Sequence, residues 1–179
     1  SLNDIAMEKS KIFSGMDSSG IAILNNFDPY FNFLKKRALS EGLKNFIIFG
    51  KTNECNVKLL NVNKTNNQNI VEVDAMGEKV KYSLNNLGEH WIMNSLSIIS
   101  FLISIKGDLK NFSERIKNFS AIKGRGKIMN IRKSKKSFFV IDETYNSSPE
   151  SLISSIQFLS SYGHSKRKIC ILGDMLELG

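Results

Sequence analysis

A chain of 179 residues with 41% apolar side chains is long enough to bury a core and to hold one domain or parts of two. Its 25 basic and 17 acidic residues give a net charge of +8. No apolar run reaches the ~18 residues of a membrane helix, and the N-terminal stretch lacks the apolar centre of a secretory leader, so the expected location is cytoplasmic.

The basic residues are scattered, with small clusters at Lys35-Lys36-Arg37 and Arg132-Lys133-Ser-Lys135-Lys136. No aromatic side chains interleave with them as base-stacking platforms. That pattern favours a solvated surface that attracts phosphorylated ligands over a nucleic-acid-binding module. Cys55 and Cys170 lie far apart in strand-like runs and lack metal-ligand spacing. They are expected to be two reduced, buried thiols.

In chain order, residues 2–16 read as a helix with Ile5, Ile12, Phe13 and Met16 on one face. Ile21 to Leu24 reads as a strand. Pro29 to Leu39 is a helix with Tyr30, Phe33 and Leu34 inward. Phe46 to Phe49 is a second strand. Asn56 to Asn63, Asn69 to Asp74 and Lys79 to Leu84 read as antiparallel β, with turns at Asn66-Asn67 and Met76-Gly77. Trp91 to Ile105 is apolar nearly all round and is expected to be a buried helix. Leu109 to Phe119 is a further helix.

Ser120 to Lys127 holds two glycines and is the best domain boundary, dividing residues 1–124 from 125–179. A new α/β unit follows. Ser137 to Ile141 is a buried-strand run. Ser148, Pro149 and Glu150 suit a helix start, and Leu152, Ile153, Ile156 and Leu159 form its apolar face. Lys168 to Leu172 is read as another strand, ending at Gly173-Asp174. Asp174 is given no catalytic role. The polar cluster Asp142, Glu143, Thr144, Tyr145 and Asn146 falls at a strand end, where open α/β sheets bind ligands.

Several side chains in these elements have a chemical and a bland reading. Lys9, at Ile5+4 and Phe13−4, falls on the apolar stripe, where burial lowers a lysine pKa and the neutral amine can react with carbon dioxide; the alternative is a snorkelling lysine. Asn94, among Ile92, Leu96 and Ile98, needs a partner for its amide, either an adenine edge or a nearby backbone group. Arg125, between two glycines, suits a phosphate or is a solvated linker residue. His90 reads as structural.

The motifs also carry a resemblance. Asp142-Glu-Thr-Tyr-Asn-Ser-Ser-Pro149 resembles the Asp-Asp-Ser-Tyr-Asn-Ala-Asn-Pro signature of the Mur ligase family. Leu172-Gly-Asp-Met-Leu-Glu-Leu-Gly179 resembles a second signature. Ile5-Ala-Met-Glu-Lys-Ser-Lys-Ile-Phe13, Gly20-Ile-Ala-Ile-Leu-Asn25, Gly88-Glu-His-Trp-Ile-Met-Asn-Ser-Leu96 and Gly124-Arg125 follow the family in order. The resemblance implies an α/β fold. It would comprise the later part of a central ATPase domain with an antiparallel subsheet, then the opening β-β-α-β of a Rossmann-like C-terminal domain.

The pattern is that of the members joining D-alanyl-D-alanine to UDP-N-acetylmuramoyl-tripeptide, with ATP and Mg2+ as cofactors. A monomer without nucleic-acid partners or membrane insertion is expected. By the resemblance, Lys9 is carbamylated and positions magnesium, Asn94 binds adenine, Arg125 contacts phosphates and Glu143 binds the ribose hydroxyls, with Asp142 as fallback. Tyr145 and Asn146 are implied substrate contacts. Trp91 departs from the pattern, which has asparagine there, so any adenine contact at that position stays open. Other Mur-type ligases, including the dipeptide ligase and folylpolyglutamate synthase, are alternatives; Tyr-Asn-x-x-Pro with the second signature argues against them.

No Gly-x-x-Gly-Lys-Thr phosphate loop occurs in the chain. In the family that loop and the magnesium-binding acidic and histidine residues lie upstream of the region matching Ser1, so the chain is expected to be a piece of a longer ligase. The 179-residue chain alone is therefore expected not to hydrolyse ATP. Magnesium-dependent phosphate release that co-purifies with the chain would contradict this.

Overall fold

Helix α1 (Leu2–Ser10) begins with a capping box, in which the Ser1 hydroxyl and the Asp4 carboxylate satisfy each other's backbone amides. It tightens into a 3-10 turn over Lys11–Gly15. Strand β1 (Ile21–Asn25), helix α2 (Phe31–Ser40) and strand β2 (Asn45–Gly50) follow as a βαβ crossover, with β1 and β2 parallel in the register Ile21 to Asn45. The computed structural model describes residues 1–65, 68–85, 88–134, 136–145, 148–163 and 167–175. The Asn66-Asn67 turn expected from the sequence lies outside the described residues.

Strand β3 (Val57–Lys64) adds to β2 in parallel through Phe49 and Gly50. Strands β4 (Asn69–Ala75) and β5 (Glu78–Leu84) extend the sheet as an antiparallel meander, in the order β1-β2-β3-β4-β5. Met76 and Gly77 make the β4–β5 turn with φ of 56° and 95°, and the Gly77 amide donates to Asp74 Oδ1 at 2.7 Å. Two positive φ values in a row match the twist of a tight hairpin.

Helix α3 (Glu89–Ser104) lies across the sheet and supplies Ile92, Leu96 and Ile99 to a core with Phe49, Val57, Val71, Val73, Val80 and Tyr82. Ser95 and Ser100 are buried without penalty because their hydroxyls donate to the carbonyls of Ile92 and Leu96, at 2.6 and 2.9 Å. With the Ser95 proton so used, the Tyr82 hydroxyl donates to Ser95 at 2.6 Å. Helix α4 (Leu109–Ile116) starts at an Asp108 cap and packs on β5. Strands β6 (Lys127–Lys133) and β7 (Lys136–Asp142) form a separate antiparallel hairpin, followed by α5 (Pro149–Ser161), capped by Ser148.

The structure corrects several expectations. The buried side of the N-terminal helix is Ala6, Ser10 and Phe13; Ile5 and Ile12 are 53% and 67% exposed, and Lys9 is exposed with them. The buried stripe keeps helical spacing but runs one residue over, through Ala6, Ser10 and Phe13, so the Ile5, Lys9 and Ile12 side is left to solvent. In α2 the packing residues are Phe31, Leu34 and Ala38, while Tyr30 and Phe33 pair edge-on beside them. Helix α3 is buried on one side only, since the sheet covers one side; Ile98, Phe101 and Ile105 stay exposed.

Cys55 is half-buried and Cys170 exposed. Lys168 to Leu172 pairs with no described strand, and Ile171 is 95% exposed there. An apolar run becomes a strand only where an edge accepts it. In α5, Ile153 and Ile156 are exposed, and Leu152 and Leu159 are half-buried. No described helix is long and apolar enough to cross a membrane.

Leu96 has no exposed surface and sits at the centre of the α3–sheet contact. Leu96→Ala is expected to cost about 2–5 kcal/mol of stability in urea unfolding. Ile98→Ala, on the exposed side of the same helix, is expected to cost under about 1 kcal/mol. Equal losses would mean that α3 buries its other side.

Candidate functional site

Strand β7 ends in a buried carboxylate. Asp142 is 7% exposed, and every exit for its charge is a hydrogen bond. Its Oδ2 accepts from the Gly124 amide at 3.0 Å. Its Oδ1 accepts from the Thr144 hydroxyl at 2.7 Å and the Thr144 amide at 3.2 Å. Its backbone carbonyl accepts from the Gly126 amide at 2.8 Å, and the Tyr145 amide returns a bond to the Gly124 carbonyl at 3.1 Å. These bonds, the Thr144 hydroxyl foremost, hold the Asp142 carboxyl below the usual aspartate range against the opposing effect of its burial.

The latch dictates the loop. Gly124 and Gly126 take φ of 80° and 81°, which L side chains rarely adopt. A Cβ at Gly124 would also lie 2.8 Å from Tyr145 Cβ. Between the two glycines, Arg125 lays its guanidinium 4.4 Å over the Tyr145 ring.

Beside the latch lies a cleft of about 210 Å³ between the start of α3 and the β6–β7 hairpin. Trp91, His90, Gly126, Glu143, Ile128 and Phe158 line it. Trp91 packs against Phe119 at 5.5 Å and against His90 at 5.2 Å. Burial lowers the His90 pKa, so its imidazole stays neutral at physiological pH. Glu143 is half-buried. Desolvation raises its pKa, the neighbouring Asp142 charge adds to this, and the Gly126 amide opposes it. Two adjacent carboxyls are thus pushed in opposite directions: Asp142 is held as an anion by the loop's amides and the Thr144 hydroxyl, and Glu143 is the one left to meet a ligand.

The structure brings together some of the residues expected from the sequence. Asp142, Glu143, Arg125 and Tyr145 gather at one strand end. Asn94 does not line the cleft; it is exposed on α3, its backbone carbonyl accepts from the Ser97 hydroxyl, and its side-chain amide bonds to no described residue. Lys9 does not line it either. Asn146 lies outside the described residues.

Sequence reasoning had Thr144 in the polar cluster without a role, and it missed Gly126 and Phe119 as parts of the site. The Gly-Arg-Gly spacing was the available signal for Gly126, read there as room for a phosphate. Among the described residues, no three His, Cys, Asp or Glu side chains cluster as a metal site. The described residues therefore do not by themselves fit a magnesium ion. For an organic ligand with polar groups they offer an aromatic wall, one acceptor carboxylate and a guanidinium nearby.

A parallel βαβ start, an antiparallel extension and a helix across the sheet define an α/β domain with its candidate site at strand and helix ends. Residues 1–102 match the family described as the Mur ligase middle domain, and the chain belongs to that family. Over its whole length it is 31% identical to the UDP-N-acetylmuramoyl-tripeptide--D-alanyl-D-alanine ligase of Buchnera aphidicola subsp. Baizongia pistaciae, of which it spans 37%. Among solved structures, it is similar to MurF from Acinetobacter baumannii, with a TM-score of 0.75 and 22% identity over 88% of this chain and 33% of that one. It is also similar to the MurF ligase from Thermotoga maritima in complex with ADP, with a TM-score of 0.67 and 22% identity over 86% of this chain and 34% of that one. At such identities the structures speak to the fold.

A carboxyl whose folded pKa is depressed adds stability that is fully present above its unfolded value and is lost as pH falls through the folded one. Asp142→Asn is therefore expected to destabilise the chain near neutral pH and to approach the parent in acid. Glu143, shifted the other way chiefly by desolvation, costs stability as pH rises through its raised value, and less so in Asp142→Asn, which lacks the neighbouring charge. Urea midpoints from about pH 7 down to about pH 3 check this. A gap between the two proteins that stays constant across that range would remove Asp142 from the latch.

Proposed function

We propose that this chain is part of an ATP-dependent amide ligase that joins D-alanyl-D-alanine to UDP-N-acetylmuramoyl-tripeptide in peptidoglycan precursor synthesis. The chain spans 37% of the first curated relative, so the activity is that of the longer protein. ATP phosphorylates the terminal carboxylate of the tripeptide and ADP leaves. The dipeptide amine attacks the acyl phosphate, and the tetrahedral intermediate collapses to an amide and phosphate. Membership of the middle-domain family and the ADP in the Thermotoga maritima structure support the nucleotide.

The observation that carries the reading within this chain is the division of labour between the adjacent carboxyls. Asp142 is consumed by the backbone, and Glu143 lines the cleft with Trp91. Glu143 is the proposed acceptor for the ribose hydroxyls, because an ionised carboxylate only accepts. Arg125, next to Gly126 on the latched loop, is the proposed phosphate contact and would leave the Tyr145 ring to reach it. Tyr145 and Asn146 are proposed substrate contacts, and Asn94 an adenine contact from the next turn of α3.

Lys9 is proposed to be carbamylated and to help position Mg2+. The support is the family resemblance alone: Lys9 is exposed, without the burial that would favour a neutral amine, and no described cluster around it supplies further metal ligands. We also propose residues 1–124 as the later part of the central domain and 125–179 as the opening of the next. The separate β6–β7 hairpin supports that division.

In the full-length ligase, Glu143→Gln is expected to raise the KM for ATP about tenfold and to leave the KM for the UDP-sugar substrate unchanged, since hydrogen bonds to a charged group contribute roughly 1.5–3 kcal/mol. Steady-state kinetics with each substrate varied checks it. An unchanged KM for ATP would take the ribose away from this strand end.

A further inference from the structure

The cleft holds an indole donor, that of Trp91, which no described residue accepts. Trp91 is the single tryptophan of the chain, half-buried in the first turn of α3. An indole N–H donates and cannot accept, and it usually finds a partner when buried. Trp91 Nε1 donates to no described residue, and the side chain's ring packs against His90 and Phe119.

Gly126 shows where that donor points. A Cβ built on Gly126 would lie 3.6 Å from Trp91 Nε1 and 3.2 Å from Glu143 Oε1. The absent side chain leaves a small gap with a donor on one side and an acceptor on the other. Glycine holds the φ of 81° there without strain, and the Asp142 carbonyl fixes its amide. The group that fits this gap must accept from an N–H and donate to a carboxylate at once. A hydroxyl does both, whereas a phosphate oxygen or a second carboxylate would meet the Glu143 charge.

We propose that Trp91 and Glu143 form a two-point clamp on the vicinal diol of the bound nucleotide's ribose. One hydroxyl oxygen accepts from the indole N–H, and the diol donates to the Glu143 carboxylate over Gly126. The clamp rests on the nucleotide reading given above. It assigns to Trp91 a polar contact at the sugar through its N–H, apart from any stacking by its ring.

The single indole N–H gives one resonance in the 15N-labelled 179-residue chain, so it reports its own contact. Titration with ATP is expected to move that resonance to lower field and to saturate. Titration with 2′,3′-dideoxy-ATP is expected to bind about tenfold more weakly and to leave the resonance near its free position. Calorimetry of Trp91→Phe, which keeps an aromatic ring and removes the donor, is expected to show ATP weakened about three- to tenfold and the dideoxy analogue unchanged.

Equal movement by both nucleotides would place the indole against the base or phosphates and overturn the clamp while nucleotide binding stands. So would equal weakening of both by Trp91→Phe. Heat of ATP binding with no movement of the indole resonance overturns the clamp alone; absence of any binding heat also overturns the clamp in this chain, while the ligase reading, which is that of the longer protein, stands or falls on the KM test above.

Discussion

The buried carboxylate of Asp142 fixes the geometry on which the site depends. A charge at the end of β7, removed from water, is tolerable only if donors surround it. The nearest available donors are the Thr144 hydroxyl and the amides of Gly124 and Thr144. Satisfying them pulls the loop between α4 and β6 over the strand end. Once that loop is down, Arg125 must sit on Tyr145, and Gly126 must sit against Trp91 and Glu143. One electrostatic requirement thereby joins a helix of the large sheet to the far end of the small hairpin.

The two sides of the cleft are built to different standards. Trp91 belongs to a helix whose next turns bury Ile92, Leu96 and Ile99 against five strands. Glu143 follows a two-stranded hairpin whose Phe138 and Phe139 remain substantially exposed, and α5 beside it has no fully buried residue. A hairpin alone is marginal in water. Local opening is therefore cheapest on the Glu143 side, and the latch is what keeps that side in register with the helix. The Lys51–Glu89 ion pair at the start of α3, 2.6 Å long and solvent-facing, contributes under about 1 kcal/mol and serves orientation more than stability.

The adjacent carboxyls show why the candidate residues separate by environment and not by type. Asp142 and Glu143 follow one another in the chain and sit at the same strand end. Strand alternation sends them to opposite sides, one into the loop's amides and the other into the cleft. Their pKa values move in opposite directions for that reason. Glu143 keeps its acceptor capacity for something outside the chain.

The sequence by itself determined what depends on local chemistry. Hydrophobic period and turn residues gave β1 to β5, the hairpin at Met76-Gly77 and the capped start of α5, because capping, turn φ values and strand alternation are satisfied within a few residues. The motif at residues 142–149 placed a polar cluster at a strand end correctly for the same reason. Tertiary structure alone decided which face of each helix is covered. Ile5 and Ile12 look like core and are exposed, Asn94 sits among apolar neighbours in the chain yet faces outward, and Ile171 found no strand partner. Burial is set by what lies opposite, and nothing local encodes that. The Asp142 latch is half of each kind: its Thr144 donors are two residues away, but the Gly124 amide lies 18 residues away, and only the folded chain brings it to 3.0 Å.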